Sequence, residues 1–284
     1  MTSPKEIIQH YGIKPRKKLG QSFLLDQNII KRIATAARIT KDDIVVEIGA
    51  GIGVLTECLA QQSRKIIAVE LDENLVGVLK EKLAGLDNVE VHSGDILKFD
   101  FNSISITYNS KIKVVGNVPY NISSPLIFRL LTFRSVIDDF ILMLQKEVVE
   151  RLVAVPNNKS YGVPSVLLQM FAAVEKIFDV PATCFFPQPK VESAVIRGAF
   201  LDKPVMELTD AAFFTQVVKA SFAQRRKMLN NNLKSAIFME KISATDLKFA
   251  LDKAGIDGRR RGETLTIAEF GHLSNILQQQ QKRI

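Results

Sequence analysis

An α/β protein with a mostly parallel sheet, followed by a small helical domain, is what two features of the 284-residue chain predict. Up to about residue 200, short apolar runs rich in β-branched residues alternate with helical stretches, the order that builds a parallel sheet from strand-helix-strand crossovers. From about Asp210 onward the pattern turns helical. The domains expected are therefore 1–202, a basic arm and sheet domain, and 203–284, a helical domain.

The elements follow in order. "KPRKK" at Lys14 to Lys18 reads as a mobile basic arm. "DQNIIKRIATAARI" is an amphipathic helix, with Asp26 as N-cap and apolar residues at Ile29, Ile30, Ile33 and Ala37. "DIVVEIGAG", "RKIIAVELD", "NVEVHSGDI", "IKVVGNV" and "DFILMLQ" are strands, separated by helical stretches such as "ENLVGVLKEKLAG". Gly116 lets the backbone leave the sheet after Val114 and Val115. "SAVIRGAF", Ser193 to Phe200, is one further strand. "AAFFTQVVKASFAQRRKMLNNNL" then reads as helical, which puts Arg225, Arg226 and Lys227 on a helix, and the tail "LQQQQKRI" is expected to fray.

Composition narrows the function. A hydrophobic content of 46% suffices for a full core, and a net charge of +8 favours a polyanionic partner. The two cysteines, Cys58 and Cys184, lie far apart without zinc spacing, so a reducing cytoplasm is expected and no metal. The start of the chain lacks an apolar export core, and nowhere do 18 uncharged apolar residues run together, so no membrane association is expected.

Four strand ends carry chemistry. "VVEIGAGIGVLT" sets Glu47 before Gly49, Gly51 and Gly53 in a strand-to-helix turn, with spacing G-x-G-x-G rather than the dinucleotide G-x-G-x-x-G. The next strand ends in Glu70, able to accept from ribose hydroxyls. A third ends in Asp95, placed to accept from an adenine amino group with Ile96 against the ring. Asn117 stands at the end of a fourth, although an N-x-P sequence also serves simply to end a strand. Glycine-lined space and nucleoside contacts without a phosphate cradle suit S-adenosylmethionine better than a nicotinamide cofactor.

These motifs, together with "KKLGQSFLLDQ", "GNVPYNISSPL", "LQKEVVERLVA", "FFPQPKVESAV", "FAQRRKMLNNNL" and "RRGETLTIAEF", resemble the ribosomal RNA adenine dimethyltransferases, the KsgA type in particular, over nearly the whole chain. The resemblance implies a class I S-adenosylmethionine-dependent methyltransferase domain with a Rossmann-like sheet. It implies methylation of two adjacent adenines in small-subunit rRNA, on a precursor ribosomal particle in the cytoplasm, by a monomer. Ser22, Leu24, Gly49, Gly51, Glu70, Asp95, Ile96 and Asn117 would then line the cofactor. Family members commonly carry asparagine where this chain has Ser22, a departure that bears on a side-chain contact to the cofactor, whereas a backbone contact there could survive.

An adenine amine is a poor nucleophile until its protons are held, and the side-chain oxygen of Asn117 and the carbonyl of Val118 can accept them, with Pro119 keeping Val118 extended. Tyr120 and Phe185 are expected to sandwich the extruded base, and Phe186 to pack. Without the resemblance, both phenylalanines would read as packing under a proline-stiffened loop. Lys17, Lys18, Arg225, Arg226 and Lys227 are expected on RNA phosphates, although a charge run is most often a solvated face. For Arg259 to Arg261 two readings stay open, RNA contact or an Arg261 to Glu263 pair. Rival functions are the antibiotic-resistance enzymes acting on large-subunit RNA and a noncatalytic assembly or transcription factor on the same fold.

Overall fold

The computed structural model describes residues 4–281. Its strands are β1 Phe23–Leu24, β2 Ile44–Ile48, β3 Lys65–Glu70, β4 Val89–Ser93, β5 Ile112–Asn117, β6 Ile137–Gln145, β7 Ala172–Val180, β8 Phe185–Phe186 and β9 Ser193–Phe200. Seven form one sheet in the order β4-β3-β2-β5-β6-β9-β7, while β1 and β8 make a separate antiparallel pair. Pairing is parallel from β4 through β6, and β9 runs antiparallel to β6. Every residue of β2 is buried, as a central strand covered on both faces requires, so its run is continuously apolar except at Glu47.

Gly116 has a different purpose from the one expected. It lies inside β5, paired with Ile48 and Leu142, and a Cβ there would stand 2.6 Å from the Ile48 carbonyl oxygen. Close approach of β5 to β2, not an exit from the sheet, requires glycine at this position.

The helix Gln27–Ala36 starts where expected, with Asp26 accepting from the N–H groups of Asn28 and Ile29, and buries Ile29, Ile30 and Ile33. Asp72 caps the helix Glu73–Lys82 through the Asn74 N–H.

Two compact units divide the chain. One gathers the described residues up to Val149 with Val174–Phe200; the other gathers Glu150–Ala173 with those from Leu201 on. A single cut after residue 202 therefore does not describe the grouping, since 150–173 joins the second unit. Strand β7 is not expected from its residues, because Glu175 and Lys176 interrupt the apolar run of "AAVEKIFDV".

The run carrying Arg225, Arg226 and Lys227 is not helical. One helix, Ala211–Ser221, stops there and another, Leu229–Lys234, begins beyond it. Asn232 Nδ2 donates to the carbonyls of Ser221 and Gln224 at 2.9 and 3.0 Å, taking acceptors that further helical turns would use. Arg225 Nε meets Glu263 at 2.6 Å, so Glu263 is engaged by Arg225 rather than Arg261, and Arg260 holds Glu269. Toward the C-terminus the helix Ile267–Gln281 continues through the glutamines, with Gln278 donating to Asp210 at 2.8 Å. Only 282–284 of the tail expected to fray lie outside the described residues.

Candidate functional site

The carboxyl ends of β2, β3 and β5, with the turn after β4, open on one cleft. Parallel pairing makes this inevitable, since strands running the same way end at the same edge. Ser22, Gly49, Gly51, Glu70, Asp95, Ile96, Asn117, Val118, Tyr120 and Phe185 all line it. Leu24 does not. It is buried in β1 and faces a smaller cavity behind the glycine turn, with Ile30, Ile33 and Glu47.

At the nucleoside end, the three turn glycines have φ of +66°, +58° and +73°, a conformation side chains disfavour. The Gly51 N–H so placed donates to Glu70 Oε2 at 2.9 Å, while Leu71 and Asp72 N–H groups donate to Oε1 at 2.9 Å each. Burial raises the Glu70 carboxyl above its ordinary value, and these backbone donors oppose the shift. Asp95 receives the Leu97 N–H at 2.9 Å beside buried Ile96.

At the other end, Asn117 Nδ2 donates to the Ser22 carbonyl at 3.0 Å. That bond commits the amide's donor end to the backbone and leaves Oδ1 as its acceptor. Ser22 contributes its backbone here, while its hydroxyl donates to the Pro187 carbonyl at 2.7 Å, which ties the segment before β1 to the proline loop after β8. The Val118 N–H donates to Met143 at 3.1 Å, holding the turn to β6. Tyr120 is half-buried and its hydroxyl lies 2.8 Å from Ser193 Oγ.

Phe185 is buried against the cleft, in register with Leu24. Phe186 reverses the expectation of packing, being 45% exposed, because the adjacent residue of an extended strand points the other way.

Two further residues escaped the sequence reading. Ser193 bears the hydroxyl that meets Tyr120, and its only signal was its place in "PKVESAV". Glu47, noted before the glycines but given no role, is 1% exposed and lines the smaller cavity, and its Oε2 has no hydrogen-bond partner among the described residues. Burial pushes its carboxyl up to about 8, with Thr56 near enough to draw it down and Glu70 driving it up.

A pH dependence follows. The unfolded carboxyl ionises near 4.5 whereas the folded one holds its proton to about 8. Between those values folding requires proton uptake, so Glu47 favours the folded state least at the alkaline end, with a slope approaching ~1.4 kcal/mol per pH unit. Urea unfolding from pH 5 to 8 should show wild type losing stability relative to Glu47→Gln across this window. A constant difference between the two would mean that Glu47 is ionised in the folded protein.

The basic segment before the cleft is not a free arm. Arg16 pairs with Asp72 at 3.2 Å and its N–H donates to Gln21, whose amide donates to Asp72 at 2.9 Å, while Lys17–Leu19 forms a 3-10 turn. Lys17 and Lys18 remain exposed. Among the described residues no group of three or more His, Cys, Asp or Glu is placed to hold a metal ion, and no helix is long and apolar enough to cross a membrane.

Comparison with known proteins bears on this geometry. A family model described as ribosomal RNA adenine dimethylase matches residues 12–272. The chain is 44% identical over 276 residues to the ribosomal RNA small subunit methyltransferase A of Bacillus mycoides, covering 96% of this chain and 94% of the relative, and the Bacillus cereus protein of that name is equally similar. Among solved structures it is similar to a dimethyladenosine transferase from Plasmodium falciparum (TM-score 0.74, 27% identity, 88% of this chain and 95% of that one). It is also similar to the 23S rRNA methyltransferase ErmE (TM-score 0.69, 27% identity, 90% and 99%).

Proposed function

The chain belongs to the ribosomal RNA adenine dimethylase family, and from that premise we propose that it dimethylates the exocyclic amines of two adjacent adenines in small-subunit rRNA, using S-adenosylmethionine, on a precursor particle in the cytoplasm. The small-subunit substrate is supported by 44% identity to enzymes named for that subunit, against 27% to the 23S enzyme.

The observation that carries the chemistry is the orientation of Asn117. With Nδ2 bound to Ser22, Oδ1 accepts one N–H of the target amine and the Val118 carbonyl accepts the other. Holding both protons keeps the nitrogen lone pair out of the ring and available. Tyr120 and Phe185 supply ring faces for the extruded base. No strong general base is needed, so alignment and electrostatics carry the rate.

The cleft also fits the cofactor. A Cβ at Gly49 would come 3.3 Å from the Asn117 carbonyl oxygen, so the close approach of this turn to the end of β5 favours glycine, and no side chain fills the cleft at that point. Glu70 would hold the ribose, Asp95 and Ile96 the adenine, and the Ser22 backbone with Asn117 the methionine end. When bound, S-adenosylmethionine supplies a methyl group already activated by its sulfonium.

Lys17, Lys18, Arg226 and Lys227 are the phosphate contacts of this reading; Arg225 is engaged by Glu263. Replacing Arg226 and Lys227 by glutamine should weaken particle binding and reduce the slope of log affinity against log salt by roughly 0.7 to 0.9 per lost contact, with cofactor affinity unchanged. An unaltered slope would return this loop to a merely solvated surface.

The proposal is tested on separated ribosomal particles from a strain lacking the protein. Purified enzyme and labelled cofactor should place two methyl groups on each of two adjacent adenines of the immature small subunit, read by mass spectrometry. Label on the large subunit alone would favour the antibiotic-resistance reading. Cofactor binding without transfer to either would favour an assembly factor.

A further inference from the structure

We infer that Ser193 is a positioning residue, whose hydroxyl holds the Tyr120 ring in the plane against which the target adenine stacks. The inference rests on the adenine-methylating function proposed above. Tyr120 belongs to a single 3-10 turn, Tyr120–Ile122, just beyond the end of β5 and outside the sheet ladder. Its side chain turns about two bonds, so an unanchored ring would sample several planes. The 2.8 Å contact between its hydroxyl and Ser193 Oγ, which either oxygen can donate, restrains the far end of the ring.

The anchor itself is rigid. Ser193 is fully buried, opens β9, and sits opposite Gln145 in the antiparallel ladder with β6. One residue earlier, Glu192 is held twice by Lys146: its carbonyl accepts the Lys146 N–H at 3.0 Å, and its carboxylate meets Nζ at 2.8 Å. The same Nζ meets Asp179 at 3.0 Å. Ser193 therefore takes its position from the sheet and a charged clamp rather than from the loop preceding it. That loop begins at Phe185, so the residue that restrains one wall of the base slot also closes the segment bearing the other. Burial lifts the Tyr120 hydroxyl above its ordinary value, and the bond to Ser193 opposes that shift. A ring restrained before the base arrives leaves less ordering for the reaction itself to accomplish.

Single-turnover methylation with saturating precursor small subunits and cofactor separates this role from simple satisfaction of a buried hydroxyl. Ser193→Ala and Tyr120→Phe should each slow transfer about three- to tenfold, the equivalent of one hydrogen bond, and the double variant should be no slower than the slower single one. Cofactor affinity, measured by calorimetry, should stay within about twofold of wild type, because the bond lies on the substrate side. Multiplying losses, or full rates accompanied by a lower melting temperature, would overturn the inference. Should Ser193→Ala fail to fold, Tyr120→Phe removes the same bond from the less buried side, and an undiminished rate from it overturns the inference equally. A wild-type protein inactive on both ribosomal subunits would instead remove the function on which the inference rests.

Discussion

Asn117→Ala is expected to slow methyl transfer on the order of a hundredfold or more at saturating particle and cofactor, the usual cost of losing one preorganised partner of a developing charge. The amide sits at the end of β5, between β2 and β6, and its Nδ2 is held by the Ser22 carbonyl at 3.0 Å. Alanine removes the acceptor and releases that carbonyl together. Cofactor affinity should therefore fall as well, though less than the rate, because Ser22 stays tied to Pro187 by its own hydroxyl. Asn117→Asp probes the orientation: it keeps an acceptor but sets a carboxylate oxygen against the Ser22 carbonyl, so it should rescue little of the rate. A loss under tenfold for alanine would remove Asn117 from the chemistry and leave it a turn residue.

Glu70→Ala should weaken S-adenosylmethionine binding by about 1.5 to 3 kcal/mol, ten- to more than a hundredfold in Kd, the range for hydrogen bonds to a charged group. The same substitution strands the N–H groups of Gly51, Leu71 and Asp72, all of which donate to this carboxylate. Asp72 in turn caps a helix and holds Arg16 and Gln21, so the melting temperature should drop with the affinity. Glu70→Gln distinguishes the two effects. Its amide keeps the shape, but its NH2 must face at least one of the three backbone donors, so intermediate losses in both quantities are expected. A lower melting temperature with unchanged affinity, by calorimetry, would make Glu70 a support for the turn and not a ligand.

Most of the cleft was legible in the chain because its logic is local. Each of Glu70, Asp95 and Asn117 follows an apolar run at or just beyond its strand's end, and in a parallel sheet the ends of successive strands meet at one edge whatever the loops do. The G-x-G-x-G spacing, the N-cap at Asp26 and the five parallel strands are local in the same sense. They are carried by backbone conformation and burial pattern within a dozen residues.

What the sequence by itself determined is thus the parallel part of the sheet, its edge and the order of chemical groups along it. Tertiary structure alone decided how those groups are held. The partners are distant: Ser193 is 73 residues from Tyr120, Pro187 is 165 from Ser22, and Ser22 is 95 from Asn117. Nothing in the local pattern of a serine reveals which distant oxygen its hydroxyl will meet. The helix expected across Gln224 to Lys227 failed for the same reason, since Asn232 and the carbonyls of Gly258 and Arg260 offered the backbone other partners than its own next turn. Phe186 took the place opposite to the one expected because neighbouring residues of an extended strand point to opposite faces, so residue type does not set the side a ring takes. Periodicity reports which residues are buried, whereas a hydrogen bond between remote segments exists only once the fold has brought both ends together.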